Sequence, residues 1–247
     1  MSPALAHMQI EVDTHTHTIL SGHGWSTIRE NCEAANRFGM KGVCLTEHTP
    51  LITGPNTAML IGNMRVIPSP LCGINVYKGA ELDITPVPGQ FGIPQKNIDK
   101  LEFAIASLHR EGYPAGSTRA AYTAAHLAAL EYGYVDVVGH CDRYSHPCDV
   151  EAIVLRCKDK NRLMEVNNNS LSNPVNRPDT LKIAALCKQH DVRIVVSSDA
   201  HICEDVGQVK KAMELLDEVE FPPELIVNLY EKDFAAYLQE RRARLAQ

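Results

Sequence analysis

Seven short apolar segments most constrain what this chain can fold into. They are predicted strands at residues 8–17, 41–46, 75–84, 103–109, 135–140, 163–167 and 193–198. Helix-forming segments separate most of them, and this alternation is typical of a parallel sheet with helices packed outside it. The sequence therefore predicts an α/β fold whose parallel sheet closes, or nearly closes, into a barrel.

Residue types that bind metals stand at the ends of these strands. In chain order they are His15, His17, His48, Glu81, His109, His140, Asp199 and His201, and His23 follows the first strand in a glycine-containing loop. The carboxyl ends of all strands in a βα barrel open on one face. We therefore expect these nine side chains to converge. The other histidines are interpreted as incidental or structural: His7, His126 and His190.

The first strand brings two candidate ligands by itself. Alternate side chains of a strand share a face, so His15 and His17 are expected to point the same way, with Asp13 beside them. Asp13 and Asp83 are candidates for orienting histidine rings, the alternative being that either is simply solvated.

A mixed set of His, Asp and Glu suits zinc, manganese or iron and is too rich in nitrogen for calcium or magnesium. Nine candidates exceed what one ion uses at about three or four protein ligands each, so two or three ions are expected, with Glu81 or Asp199 as bridges. Clustered ions polarise a phosphoryl oxygen and generate hydroxide near neutral pH. The set is therefore typical of a hydrolase.

Local signals predict the helices and loops around the strands. Ser26 is the predicted N-cap of a helix over 27–38, further helices are expected at 117–131 and 149–160, and Asp179 is the predicted cap of a helix reaching residue 190. Pro222 and Pro223 are expected to open the penultimate helix. Residues 49–74, rich in proline and glycine, are predicted to form a long irregular loop.

Composition narrows the class of protein. The 247 residues are expected to form one domain, 1–247, and a net charge of −6 disfavours nucleic acid as the main partner. The eight cysteines lie mostly in apolar runs and are expected to be thiols without disulfides. We find no secretory signal pattern or membrane-spanning run, so a cytoplasmic protein without membrane contact is expected.

Together the motifs resemble those of the PHP (polymerase and histidinol phosphatase) family, in particular its small stand-alone phosphatases. The resemblance rests on 13–17, His23, 46–48, 79–81, 107–109, 165–168 and 198–201. It implies a distorted seven-stranded, TIM-barrel-like (β/α)7 barrel with three metals, usually zinc and sometimes manganese or iron. It also implies hydrolysis of phosphate monoesters, and in some members a homotrimer.

By this resemblance the ligands divide among three ions. The first would be held by His15, His17, Glu81 and Asp199, the second by Glu81, His109 and His140, and the third by His23, His48 and His201. One motif departs from the family, which commonly has His-Pro after the fifth strand where this chain has His140-Cys141. Because His140 directly follows the strand, we choose it over His146, which precedes Pro147.

The expected reaction is in-line attack of a metal-bridging hydroxide on a small phosphate monoester. Asp199 and Glu81 are the predicted catalytic carboxylates, with Asp199 preferred for proton transfer. Arg65 either contacts the phosphate or is a surface residue, and Asn167 and Asn168 are expected to shape the pocket. Alternatives are a phosphodiesterase acting on nucleic-acid ends, an amidohydrolase and a non-catalytic metal-binding scaffold. Because ligand imidazoles must be neutral, activity is expected to collapse below about pH 5.5–6.

Overall fold

The computed structural model describes residues 4–54, 56–114 and 116–246. Its strands are β1 (Val12–Thr16), β2 (Gly42–Leu45), β3 (Asn75–Asp83), β4 (Phe103–Ser107), β5 (Val137–Val138), β6 (Leu163–Asn167) and β7 (Ile194–Ser197). They are all parallel and lie side by side in chain order. The predicted seven-stranded α/β barrel is confirmed.

The seam between β7 and β1 is closed by a single bridge and an asparagine. The bridge pairs Thr16 with Ala200. Below it, the side chain of Asn228 donates to the carbonyl oxygens of Val12, at 2.8 Å, and Val196, at 2.6 Å, and accepts from the amide of Val196 at 2.9 Å. Because these bonds replace a strand-to-strand ladder, the barrel is nearly closed.

Helices surround the sheet. They are α1 (Ile28–Arg37), α2 (Pro50–Thr53), α3 (Asn56–Gly62), α4 (Gln95–Ile98), α5 (Arg119–Ala129), α6 (Val150–Lys160), α7 (Arg177–His190), α8 (Lys210–Glu218) and α9 (Glu231–Leu245). None of these helices, within the described residues, has the length and apolar character that crossing a bilayer demands. The prediction of free cysteines is confirmed, since all eight are thiols and six of them are buried.

The predicted cap of α1 is wrong by one residue. Thr27, not Ser26, forms a capping box in which its hydroxyl accepts from the amide of Glu30 and the Glu30 carboxylate accepts from the amide of Thr27. The hydroxyl of Ser26 is engaged elsewhere, because it accepts from the amide of Cys203 at 2.9 Å. The helix itself lies where it was expected.

Other local predictions also need correction. Residues 49–74 are not an irregular loop, since they contain α2, α3 and a 3-10 turn at Met64–Val66; Pro55, in the same stretch, lies outside the described residues. Asp179 lies within the first turn of α7, which begins at Arg177. Pro223 opens a short 3-10 helix, Pro223–Leu225, and not an α-helix. The helices within 49–74 are too short to show an apolar periodicity in the sequence, so their sequence cannot be told from that of an irregular loop.

The interior of the barrel is apolar at one end and polar at the other. Phe234 and Tyr237 of α9 fill the end where the strands begin, and the Phe234 ring packs edge-on against Phe103 at 5.3 Å. Every second side chain of a strand points into the barrel. At the apolar end these inward residues are Ile105, Leu163 and Val195. Two positions further along the same strands, the buried residues are the polar Ser107, Glu165 and Ser197. The mouth at the carboxyl ends of the strands is therefore lined by polar groups.

Candidate metal centre

His15 and His17 point into this mouth from the end of β1. Both are fully buried. The Nε2 atom of His15 lies 3.3 Å from Oε2 of Glu81 and 3.6 Å from Oδ1 of Asp199, and that of His17 lies 3.5 Å and 3.3 Å from the same two oxygens. Side chains from three strands thus meet as expected.

The side chain of Asp13 does not lie with the rings of His15 and His17. The pairing register of β1 shifts between Asp13 and Thr16. The Asp13 carboxylate accepts from the hydroxyl and amide of Ser198 and from the amide of Gly207, and from His15 it accepts only the backbone amide. Asp13 therefore holds the turn after β7, and the prediction that it points with the histidine rings is wrong.

Glu81 lies at the centre of the cluster. Its Oε1 lies 2.8 Å from Nε2 of His140 and 3.3 Å from Nε2 of His109, while its Oε2 lies 2.8 Å from Nδ1 of His48. Burial alone would raise the pKa of Glu81, but His48, His109 and His15 hold it well below the usual range. An ionised carboxylate with both oxygens facing imidazoles has the geometry of a bridging ligand.

His23 and His201 face each other beside this carboxylate. Their Nε2 atoms are 2.7 Å apart. Each Nδ1 lies near a backbone carbonyl, that of Ser21 at 3.0 Å for His23 and that of Asp199 at 2.9 Å for His201. A carbonyl can only accept, so each Nδ1 carries the hydrogen and each Nε2 presents a lone pair. Two lone pairs this close repel each other, and either a proton shared by the two nitrogens or a metal ion bound by both removes the repulsion.

Buried polar groups orient three of the rings from behind. Nδ1 of His17 lies 2.9 Å from the hydroxyl of Ser21, which in turn donates to Glu47. Nδ1 of His109 lies 3.1 Å from Oδ1 of Asp83, as the sequence suggested for that aspartate. The third is His15, whose Nδ1 faces Glu165. Such contacts fix the ring that binds a metal and make it more basic.

Two predicted site residues adopt left-handed backbone conformations. His140 has φ 22° and Asp199 has φ 56°. Residues with a Cβ rarely adopt this region, and such strain concentrates at functional sites. At His140 the conformation allows the backbone amide to donate to Glu165 at 2.7 Å. Burial and then the charge of Arg143 lower the pKa of His140 to about 4, so the ring is neutral at pH 7.

The residues of the mouth fit a metal. Among buried side-chain atoms without a hydrogen-bond partner are four that face one another here, namely Nε2 of His15, Nε2 of His17, Nδ1 of His48 and Oε2 of Glu81. Buried polar atoms are nearly always paired. Four such atoms around one centre would gain partners from bound cations, and nitrogen with carboxylate oxygen suits zinc, manganese or iron.

The structure distinguishes His140 from His146 as the ligand after the fifth strand. His146 packs edge-on against the ring of Tyr122 at 5.1 Å and is absent from the groups of close donor atoms, whereas His140 joins Glu81 and His109 in one of them. His126 is buried in α5 with Nδ1 near the carbonyl of Tyr122. The geometry thus favours His140.

Of the two interpretations of Arg65, the structure favours the surface residue, and it brings one of the two asparagines to the predicted ligands. Arg65 is exposed in the turn after α3 and does not line the cleft over the cluster. The Asn167 amide donates to Glu165 and Asp199 at 3.2 Å, while Asn168 accepts from the amide of Ala212. Only Asn167 therefore touches the site.

A cleft of about 660 Å³ opens over the cluster. Besides the predicted ligands it is lined by residues that sequence reasoning missed: Trp25, Ile52, Glu111, Arg143 and Asn169. The guanidinium of Arg143 donates to Oδ2 of Asp199 at 2.8 Å. Its position three residues after His140 was a usable signal, since residues that follow barrel strands build the active face.

Comparison with known proteins identifies the family. The PHP domain family matches residues 13–169. A probable phosphatase of Caldanaerobacter subterraneus subsp. tengcongensis is 36% identical over 240 residues, covering 96% of this chain and 94% of that protein. One of Clostridium botulinum is 38% identical over 235 residues, covering 95% and 96%. The chain belongs to the PHP domain family.

A solved structure shares the fold. Histidinol phosphate phosphatase from Lactococcus lactis, determined with zinc, L-histidinol and phosphate, aligns with a TM-score of 0.62 and covers 86% of this chain and 94% of its own. Its sequence is 17% identical to this one. The likeness at that identity concerns the barrel alone.

Proposed function

We propose that this chain is a metal-dependent phosphatase that hydrolyses small phosphate monoesters. The observation that carries the proposal is the set of buried, unpaired nitrogen and oxygen atoms that converge on Glu81 at the mouth of the barrel. Membership of the PHP domain family and relatives described as probable phosphatases support the same chemistry.

Three ions are proposed, in the grouping that the family resemblance implied. Close donor groups support it: His15, His17 and Asp199 form one, and Glu81, His109 and His140 form another. For the third, His48 and His201 group with His17, and His23 lies 2.7 Å from His201. When bound, zinc, manganese or iron supplies Lewis acidity and a hydroxide near neutral pH. Glu81 would bridge two of the ions.

Arg143 is proposed to bind the phosphate in place of Arg65. It is the arginine that lines the cleft, and a guanidinium matches the geometry of phosphate oxygens. Its present partner, Asp199, has a pKa well below the usual range: burial opposes this, but His15, His17 and Arg143 favour the anion. This pKa belongs to the metal-free protein, and proton transfer by Asp199 stays a prediction.

The test combines metal content with turnover. Protein purified without chelator should contain about three ions per chain and should hydrolyse 4-nitrophenyl phosphate at least about 100-fold faster than bis(4-nitrophenyl) phosphate or a single-stranded oligonucleotide. Chelator-treated protein, assayed before and after metal is restored, is the control. Fewer than about one ion per chain would favour a scaffold, and faster cleavage of the diester would favour a phosphodiesterase. The homotrimer and the cytoplasmic location remain predictions.

A further inference from the structure

The cleft is much larger than the group that the metal centre would hold. Its volume is about 660 Å³. Pockets of several hundred Å³ typically enclose whole organic ligands, whereas a phosphate has only five heavy atoms. Most of the cleft is therefore available to the organic part of the ester, which leaves as the alcohol. The walls of the cleft then determine which alcohols bind.

The walls differ between the two sides of the barrel. Arg143 and Asn169, which follow β5 and β6, supply a polar side. Trp25 and Ile52, which follow β1 and β2, supply an apolar side. Because neighbouring strands stand side by side around the barrel, these two pairs of loops lie on different parts of the rim. A phosphate bound near Arg143 would direct its organic group along the apolar side.

The backbone holds Trp25 firmly while its side chain stays free. The amide of Trp25 donates to the carbonyl of His201 at 2.7 Å. Gly24, just before it, has no room for a side chain, because a Cβ there would lie 2.3 Å from the carbonyl oxygen of Thr18. The indole is nevertheless 81% exposed. A large aromatic side chain that is uncovered at the rim of a cleft, on a backbone that is fixed, is typical of a binding surface.

We propose that Trp25, with Ile52 on the same side of the cleft, stacks against a flat aromatic or heterocyclic group in the leaving alcohol. The inference rests on the proposed phosphatase function and narrows its substrates to monoesters that carry such a group. Stacking on an aromatic residue needs only a π face. The contact therefore selects flat rings, whatever hydrogen-bonding groups those rings carry.

Two esters that share the reacting bond test the proposal. Adenosine 5′-monophosphate and ribose 5-phosphate are both primary alkyl esters of the same sugar and differ in the heterocycle. Trp25→Ala should raise the ratio of the KM for the nucleotide to the KM for ribose 5-phosphate about tenfold, and Trp25→Phe should change it less than about threefold. Tyr230→Ala, an exposed aromatic at the opposite end of the barrel, is the matched control and should leave the ratio unchanged.

A second readout needs no turnover. Trp25 is the single tryptophan of the chain, so tryptophan emission, excited at wavelengths that tyrosine does not absorb, reports on this wall alone. Phenylphosphonate, which cannot be hydrolysed, should change the emission in a saturable manner, whereas methylphosphonate at equal concentration should not.

The two readouts separate the inference from the function on which it rests. A saturable fluorescence change by phenylphosphonate would support the stacking wall even if no monoester were hydrolysed. If both esters were hydrolysed while Trp25→Ala left the KM ratio unchanged, or if both phosphonates had the same effect on emission, the stacking role would be overturned and the phosphatase proposal would stand.

Discussion

Nδ1 of His15 lies 2.6 Å from Oε1 of Glu165, and both side chains are buried. The contact fixes the His15 ring so that Nε2 faces Glu81 and Asp199. Burial alone would lower the pKa of His15, but Glu165, Glu81 and Asp199 raise it well above the usual value. Glu165 therefore makes His15 more basic, which strengthens a metal ligand.

Glu165→Gln should weaken zinc binding by about 10- to 100-fold. The glutamine amide can still orient the His15 ring, but it lacks the negative charge of the Glu165 carboxylate that makes the ring more basic. Competition with a chromophoric chelator would measure the dissociation constant. Glu224→Gln, an exposed carboxylate outside the site, is the control. Unchanged zinc affinity in the Glu165 variant would contradict the orienting role.

Glu81→Ala should reduce both metal content and turnover more than any single histidine substitution, because Glu81 faces donors of the two ions that it would bridge, His15 and His17 of one and His109 and His140 of the other. A loss of about 10³-fold in kcat is expected, since a metal supplies several kcal/mol of transition-state stabilisation. Elemental analysis and a phosphatase assay measure the two effects. His7→Ala, at an exposed histidine that is not among the predicted ligands, provides the comparison. Wild-type turnover in Glu81→Ala would refute the bridging role.

Arg143→Ala should raise the KM for phosphate monoesters about 10- to 100-fold, because a charged hydrogen bond contributes about 1.5–3 kcal/mol. Arg65→Ala, assayed in parallel, decides between the two arginines. Arg143 lines the cleft and Arg65 does not, so only the first should affect KM. A larger effect at Arg65 would restore the prediction made from sequence.

Metal binding should release protons at neutral pH. Burial alone would lower the pKa of His109, but Glu81 and Asp83 raise it to about 9 in the metal-free protein. His109 thus stabilises the metal-free fold fully below pH 6.5, and this stabilisation is lost as the pH rises through 9. A ligand imidazole must be neutral, so zinc affinity should increase from pH 7 to pH 9.

Calorimetric titration with zinc at pH 7, in buffers of different ionisation enthalpy, would count these protons. About one proton from His109 is the minimum expected, since the group is mostly charged two pH units below its pKa. The thermal stabilisation by zinc should likewise be greater at pH 8.5 than at pH 6.5. A binding enthalpy that does not depend on the buffer would exclude the raised pKa.

Asn228→Ala should lower the free energy of unfolding by about 3 kcal/mol, because three buried backbone groups of Val12 and Val196 lose their partner. Urea denaturation of the metal-loaded protein measures the change. Asn63→Ala, at an exposed asparagine, should stay within about 0.5 kcal/mol of wild type. Equal stability of the two variants would show that Asn228 does not hold the seam.

The sequence by itself determined the barrel and most of the candidate ligands. Apolar segments of strand length define the sheet, and parallel connection brings every strand end to one face, so residues such as His15, Glu81 and His140 could be grouped without coordinates. Caps such as Thr27 differed, because neighbouring hydroxyl residues compete for the same cap. The short helices within 49–74 were also missed, because they have no apolar periodicity.

Tertiary structure decided which side chains face one another at the mouth. The register shift in β1 turns Asp13 away from the histidine rings, and Glu165 reaches His15 across the barrel. Arg143 lines the cleft, whereas Arg65 is exposed in the turn after α3. These outcomes depend on contacts between residues far apart in the chain, as between Asp13 and Gly207, which are 194 positions apart. Local sequence patterns carry no information on such contacts, because they arise only when the sheet closes.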